Sequence, residues 1–107
     1  MSETSLLDAE GYPTEETLMA IRRWDPNDFY GLINFIRPIW WASFGWREKG
    51  AYLMISTGGW SGNEDIVIAL QSNRIWWTLY WELSKRGGHY IFKRRKRVKV
   101  VPQAEVR

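Results

Sequence analysis

The chain has 107 residues, which is the size of one domain, and 45% of them are hydrophobic and 25% charged, as in globular proteins. It has no cysteine and one histidine, which excludes disulfide frameworks, cysteine-based zinc sites, thiol nucleophiles and histidine clusters. The aromatic content of 16%, with 8 tryptophans, is enough for a compact core in so short a chain. No apolar run approaches the roughly 18 residues of a membrane span, so we expect a soluble cytoplasmic protein without a cofactor.

Charge is distributed unevenly along the chain. Up to Asp65 there are 5 basic and 10 acidic residues, and from Ile66 onward there are 10 basic and 2 acidic residues. Most of the basic excess lies near the C-terminus, in Lys93, Arg94, Arg95, Lys96, Arg97 and Lys99. Such a run either contacts phosphate or serves as a solubilising tail. We predict a flexible leader (1–10), one compact domain (11–94) and a basic tail (95–107).

Two helices are predicted before residue 40. The first covers about 14–24, because Thr14 can cap its amides and acidic residues follow at once. The second is predicted to start at Asp25, with Pro26 in its first turn, and to end near Pro38. Its apolar face follows helical spacing in Phe29, Leu32, Ile33 and Ile36.

The remaining segments predict a sheet interrupted by a helix. Residues 44–48 and 51–57 are typical of a β-hairpin, and a capping box of Ser61 and Glu64 predicts a helix that closes at Asn73. Residues 75–84 alternate as in a strand, and residues 89–94 return as its partner. We therefore predict an α+β fold, in the order α-α-β-β-α-β-β, whose four-stranded, mostly antiparallel sheet has helices on one face. The strand order stays open.

Several segments resemble small proteins of bacteriophages and prophages that have no established activity. The resemblance rests on the blocks TGGWSGNE at 57–64 and RGGHY at 86–90, with Ala69-Leu70-Gln71, Asn73, Trp77 and Tyr80-Trp81 between them and GYPTEETL at 11–18 before them. It extends over about residues 11–92 and leaves the basic tail outside. It implies a phage-encoded protein that acts in a bacterial cytoplasm.

The glycine-rich segment before the third predicted helix is the first candidate site. Glycines let backbone amides converge, and a helix N-terminus favours an anion. The candidate ligand-binding residues here are Trp60, Ser61, Gly62, Asn63 and Glu64, with Trp60 stacking on a base or excluding water. The spacing is not that of a P-loop. The alternative is a structural connection whose tryptophan packs on the core.

Two further groups of residues are candidates. Arg86 and His89 flank a glycine turn and have the chemistry to bind phosphate or carboxylate, although a histidine beside a turn is more often simply a partly exposed polar residue. Strand alternation would place Trp77 and Trp81 in the core, and Trp76 and Tyr80 on the other face. There, Trp76 and Tyr80 would either pack under a helix or stack on bases or on a partner.

These features favour a non-catalytic binding protein, because no catalytic constellation is evident. Our leading hypothesis is a phage-type protein, such as a counter-defence factor, that engages a host component. It would sequester a phosphorylated small molecule or mask a protein surface. The alternative is a nucleic-acid-binding module that uses the basic tail and the sheet aromatics. These alternatives differ in where the positive charge is expected. The sequence concentrates it beyond the last predicted strand, whereas a dedicated nucleic-acid fold more often carries it across its binding sheet.

Overall fold

The computed structural model describes residues 6–94 as four α-helices and one four-stranded sheet. In chain order the elements are α1 (Glu15–Arg22), α2 (Phe29–Ile36), β1 (Trp46–Lys49), β2 (Tyr52–Ser56), α3 (Ser61–Ser72), α4 (Arg74–Tyr80), β3 (Trp81–Lys85) and β4 (His89–Lys93), with 3-10 turns at Arg37–Ile39 and Ala42–Phe44. All neighbouring strands are antiparallel, in the order β1-β2-β4-β3. The predicted α+β class is confirmed. The basic tail (95–107) and the start of the leader lie outside the described residues.

The first two helices begin at side-chain caps. The Thr14 hydroxyl accepts a hydrogen bond from Thr17 N at 3.2 Å, as the sequence predicted for α1. The predicted start of α2 at Asp25 is wrong, because Asp28 is the cap and accepts from Gly31 N at 2.9 Å. Asp25 instead closes the preceding turn by accepting from Asn27 N.

The folded unit extends into the predicted leader. Leu7 pairs with Pro13 in an isolated antiparallel bridge, and the Thr17 hydroxyl donates to Leu6 O at 2.8 Å. Asp8 closes the intervening turn, since its carboxylate accepts from the amides of Glu10 and Tyr12. The predicted boundary at residue 11 therefore lies inside this turn.

The prediction of one strand over 75–84 is wrong, because its first half is helix α4. Asn73 starts this helix by accepting from Trp76 N, and its amide group also donates to Ile21 O at 3.1 Å and Trp24 O at 3.0 Å. Trp76 and Tyr80, four residues apart, then share one buried helical face. Their burial against the core outweighs the alternating pattern that also fits this segment.

The core lies between the helices and one face of the sheet. Leu53, Ile55 and Phe92 are almost fully buried there and belong to one apolar cluster with the helical residues. Trp76 is at the centre of this cluster, and its ring centroid lies 5.2 Å from that of Phe92 and 5.9 Å from that of Phe29. Among residues 6–94, no helix covers the other face of the sheet.

Candidate nucleic-acid interface

The uncovered face of the sheet, called the open face below, carries a concentration of basic side chains. Strand alternation and the pairing register place Lys49, Tyr52 and Lys93 in one row across the strands. The next row contains Arg47, Met54, Ile91 and Leu83, and the last contains Ser56, His89 and Lys85. Five of these ten positions are basic or histidine, and none is acidic.

The four described strands contain two acidic residues, Glu48 of β1 and Glu82 of β3, and Glu82 lies at the bulge between Trp81 and Leu83, outside the pairing register. Glu48 of β1 faces away from the open face, accepts a hydrogen bond from Trp46 Nε1 at 2.8 Å, and forms an ion pair with Arg37 at 2.7 Å. Burial raises the pKa of Glu48, but these hydrogen bonds and the charge of Arg37 outweigh burial and lower it below its ordinary value. The carboxylate of Glu48 is therefore paired away from the open face.

A groove of about 460 Å³ crosses the end of the open face. Its side chains come from all four strands and include Arg47, Met54, Ser56, Lys85, His89 and Ile91. The Ser56 hydroxyl and His89 Nδ1 lie 2.6 Å apart, and this hydrogen bond fixes the orientation of the imidazole. The volume is within the range of small-ligand pockets. Basic groups at both sides of an apolar floor suit a ligand with phosphate groups and a planar ring.

Gly45 closes one end of this groove by a close backbone approach. Its carbonyl accepts from Ser56 N at 3.0 Å, and it has φ +135°. A Cβ at this position would lie 2.9 Å from the Ser56 Cβ. A side chain here would push β2 away, so the groove depends on this glycine.

The structure brings together the two glycine-containing loops that the sequence singled out. Thr57 N donates to Gly88 O at 3.0 Å, and a Cβ on Gly88 would overlap the Thr57 hydroxyl. His89 lies in the groove, as described above. Arg86 is exposed and makes no hydrogen bond or ion pair within residues 6–94. Of the two candidates around this turn, only His89 therefore faces the open-face groove.

The predicted capping box at the start of α3 does not form. Trp60 occupies the N-cap position, Ser61 is the exposed first residue of the helix, and Glu64 accepts from the Thr57 hydroxyl at 3.4 Å. Glu64 also places a carboxylate in the first turn, where the sequence predicted an anion to bind. This negative charge makes the loop unfavourable for a phosphate.

Trp60, Gly62 and Asn63 take part in aromatic packing. The Trp60 ring lies over Gly62, where a Cβ would overlap it, and its centroid is 5.0 Å from Tyr12 and 5.1 Å from Trp41. Asn63 is fully buried and accepts from Trp41 N at 3.0 Å. Sequence reasoning missed Tyr12 and Trp41, whose contribution depends on long-range contacts.

Trp76 and Tyr80 cannot act as base-stacking residues in this structure. Trp76 is 0% exposed and Tyr80 5%, because both belong to α4 and pack in the core. The accessible aromatic ring of the open face is Tyr52, which is 40% exposed and has Lys93 Nζ 5.6 Å from its centroid. The sequence could have predicted an outward-facing Tyr52 from its alternation with Leu53 in β2. Its basic neighbours, Lys49 and Lys93, follow only from the pairing of the strands.

Comparisons with protein-family models, with curated proteins and with solved structures find no match to this chain. Over residues 6–94 no helix is both long and apolar enough to cross a bilayer. The same residues contain no cluster of three or more potential metal ligands.

Proposed function

We propose that this chain is a non-catalytic protein that binds single-stranded nucleic acid on the open face of its sheet. The observation that carries the proposal is the set of Arg47, Lys49, Lys85, His89 and Lys93 on one face, with no acidic residue among the ten paired positions of that face. Phosphate contacts supply most of the affinity of non-specific nucleic-acid binding. Positive charge spread across a sheet is the feature that we expected of a nucleic-acid-binding fold and not of the alternative functions.

Shape favours a single strand over a duplex. Four strands give the face a width of about 14 Å, whereas the DNA major groove is about 12 Å wide and admits a helix or a two-stranded ribbon. Tyr52 offers an exposed ring on which a base can stack, beside the ammonium groups of Lys49 and Lys93. A backbone laid across the strands would contact the basic side chains while its bases reach Tyr52 and the apolar floor.

The resemblance to phage and prophage proteins supports action in a bacterial cytoplasm, where the chain would engage a host component. The Ser56–His89 pair supports binding rather than catalysis, because no carboxylate within residues 6–94 hydrogen-bonds to the imidazole. The pair instead supplies a hydroxyl and a ring nitrogen for recognition.

A second candidate is a phosphorylated small molecule, such as a nucleotide, in the same groove. Its volume of about 460 Å³ favours this ligand, as do Arg47 and Lys85 at its sides. The two candidates differ in length dependence. A mononucleotide would bind as tightly as an oligonucleotide if only the groove were used, whereas contacts with Lys49, Tyr52 and Lys93 require a longer chain.

The test is titration of fluorescently labelled deoxythymidine oligomers of increasing length at several salt concentrations. We expect affinity to increase with oligomer length. The Arg47→Ala/Lys85→Ala double variant should reduce the slope of log affinity against log salt concentration by about 1.4, since each phosphate contact with a single strand contributes about 0.7 to that slope. The matched control is Arg23→Ala/Arg74→Ala, which removes the same charge from two exposed positions outside the sheet, at the C-cap of α1 and at the start of α4. Equal losses in both variants, or no binding at low salt, would contradict the proposal.

A further inference from the structure

A second exposed surface lies at the loops that join α2, β1 and α3. Four aromatic rings form a continuous row, here called the aromatic ridge: Tyr12, Trp60, Trp41 and Phe44. Consecutive centroids are 5.0, 5.1 and 5.7 Å apart. Trp41 is 51% exposed and Phe44 39%, so two of the rings remain available to a partner. Exposed aromatic clusters of this kind are typical of recognition surfaces.

Buried groups hold the ridge in place. The Asn63 side chain is 0% exposed and bonds to both backbone groups of Trp41, accepting from its N at 3.0 Å and donating to its O at 3.4 Å. Gly58, at φ +63°, lies against the Phe44 ring and Gly62 against the Trp60 ring, and a Cβ at either glycine would overlap its ring. The exposed rings are therefore fixed before any partner arrives, which lowers the entropic cost of binding.

Carboxylates flank this ridge. Glu64 lies in the first turn of α3, and its amide donates to Trp60 O at 3.0 Å. Asp65 is the next residue of α3, and both are exposed. At the other end, the Asp8 carboxylate accepts from Tyr12 N at 3.0 Å. Aromatic faces next to carboxylates attract cations, because the ring quadrupole and the negative charge act in the same direction.

We propose that the aromatic ridge binds arginine side chains of a basic polypeptide segment, with guanidinium groups stacked on the exposed rings of Trp41 and Phe44 and paired with the nearby carboxylates. Charge complementarity selects this partner, since the ridge is acidic whereas the open face of the same molecule is basic. The proposal goes beyond the binding of nucleic acid and uses different residues. Variants of the two surfaces therefore fail independently.

The test uses two labelled eight-residue peptides on the full chain at physiological salt. One alternates arginine with glycine, and the other replaces every arginine by citrulline, which keeps the shape and removes the charge. We expect the arginine peptide to bind at least tenfold more tightly in fluorescence anisotropy. We expect Trp41→Ala to weaken it at least tenfold and Glu64→Gln about threefold, while both leave oligonucleotide affinity unchanged.

The matched control is Tyr30→Ala, which removes an aromatic ring with the same 51% exposure from a different surface. It should leave peptide affinity unchanged. Glu64→Gln keeps the test valid if Trp41→Ala unfolds, because Glu64 is exposed and its substitution removes only charge. Equal binding of the citrulline peptide, no binding of the arginine peptide, equal effects of Trp41→Ala and Tyr30→Ala, or self-association of the chain that Trp41→Ala abolishes would each overturn the proposal.

Discussion

The two faces of the sheet are built from alternate residues of the same strands but have opposite chemistry. On the covered face, Leu53 and Phe92 are paired across β2 and β4 and are 2% and 0% exposed. On the open face, the neighbouring pair of Tyr52 and Lys93 is accessible and carries a positive charge beside an aromatic ring. Adjacent positions in one strand therefore serve stability and recognition separately, and substitutions on the two faces should affect different measurements.

The largest expected effect is on the covered side. Trp76→Ala should lower the free energy of unfolding by about 3–5 kcal/mol, because it empties a fully buried site among aromatic rings. Urea unfolding followed by circular dichroism measures this change. Trp76→Phe should cost less, since it keeps an aromatic ring and removes an Nε1 that has no hydrogen-bond partner among the described residues. An Ala variant as stable as the parent would refute the division between the faces.

A smaller loss is expected at the buried link between helices. Asn73→Ala removes the cap of α4, the side-chain donor to Trp24 O and one of the donors to Ile21 O, which should cost about 1–3 kcal/mol. The same urea titration measures it. Asn27→Ala is the control, because Asn27 is exposed and its side chain makes no bond within residues 6–94. If both variants lose the same free energy of unfolding, the hydrogen bonds of the Asn73 side chain do not contribute to stability.

On the open face the effect should appear in binding. Tyr52→Ala should weaken oligonucleotide binding by about 1–3 kcal/mol, the usual value of one stacked base. Its stability should change by less than about 0.5 kcal/mol, since the ring is 40% exposed. Tyr52→Phe, which keeps the ring, should bind as the parent does. A Tyr52→Ala variant that lost much of its stability but bound the oligonucleotide normally would contradict the assignment of this face to binding.

The smallest effect concerns the ion pair of Glu48. Because the pKa of Glu48 in the folded chain lies below 4.5, its contribution is present above that pH and is lost as pH falls through the lowered pKa. Glu48→Gln should cost less than about 1 kcal/mol at pH 7, since the pair is partly exposed. The difference from the parent should shrink in unfolding measurements below about pH 4. When Arg37 is replaced by glutamine, the stability lost through Glu48→Gln should depend less on pH. If that pH dependence were unchanged, Arg37 would not be the partner that stabilises Glu48.

Local signals were sufficient where one pattern fitted a segment. Thr14 predicted the start of α1, and the hairpin of β1 and β2 followed from the Lys49-Gly50 turn. The prediction for residues 75–84 was wrong because this segment fits two patterns. Ile75 and Trp77 alternate as in a strand, whereas Trp76 and Tyr80 have the four-residue spacing of a helix. Long-range contacts decide between them: the burial of Trp76 and Tyr80 in the core and the hydrogen bond of Asn73 to α1, across 52 residues.

The candidate sites depended even more on long-range structure. The loop from Trp60 to Glu64 was singled out correctly as unusual, but its chemistry changed once Tyr12 and Trp41 packed on it. The open face could not be derived, because Arg47 and Lys85 come from opposite edges of the sheet. Their common face depends on strand order and register, which composition and local spacing leave open.

The central position of β2 and β4 has a consequence for the order in which the molecule opens. Both strands are hydrogen-bonded on both sides, and their pairing at Ser56 and His89 joins residues 33 positions apart, with α3 and α4 in between. Their amide protons should exchange with deuterium only through global unfolding, whereas those of the edge strand β1 should exchange through local fraying. The face proposed to hold nucleic acid would thus be rigid at its centre and adaptable at the Arg47 edge.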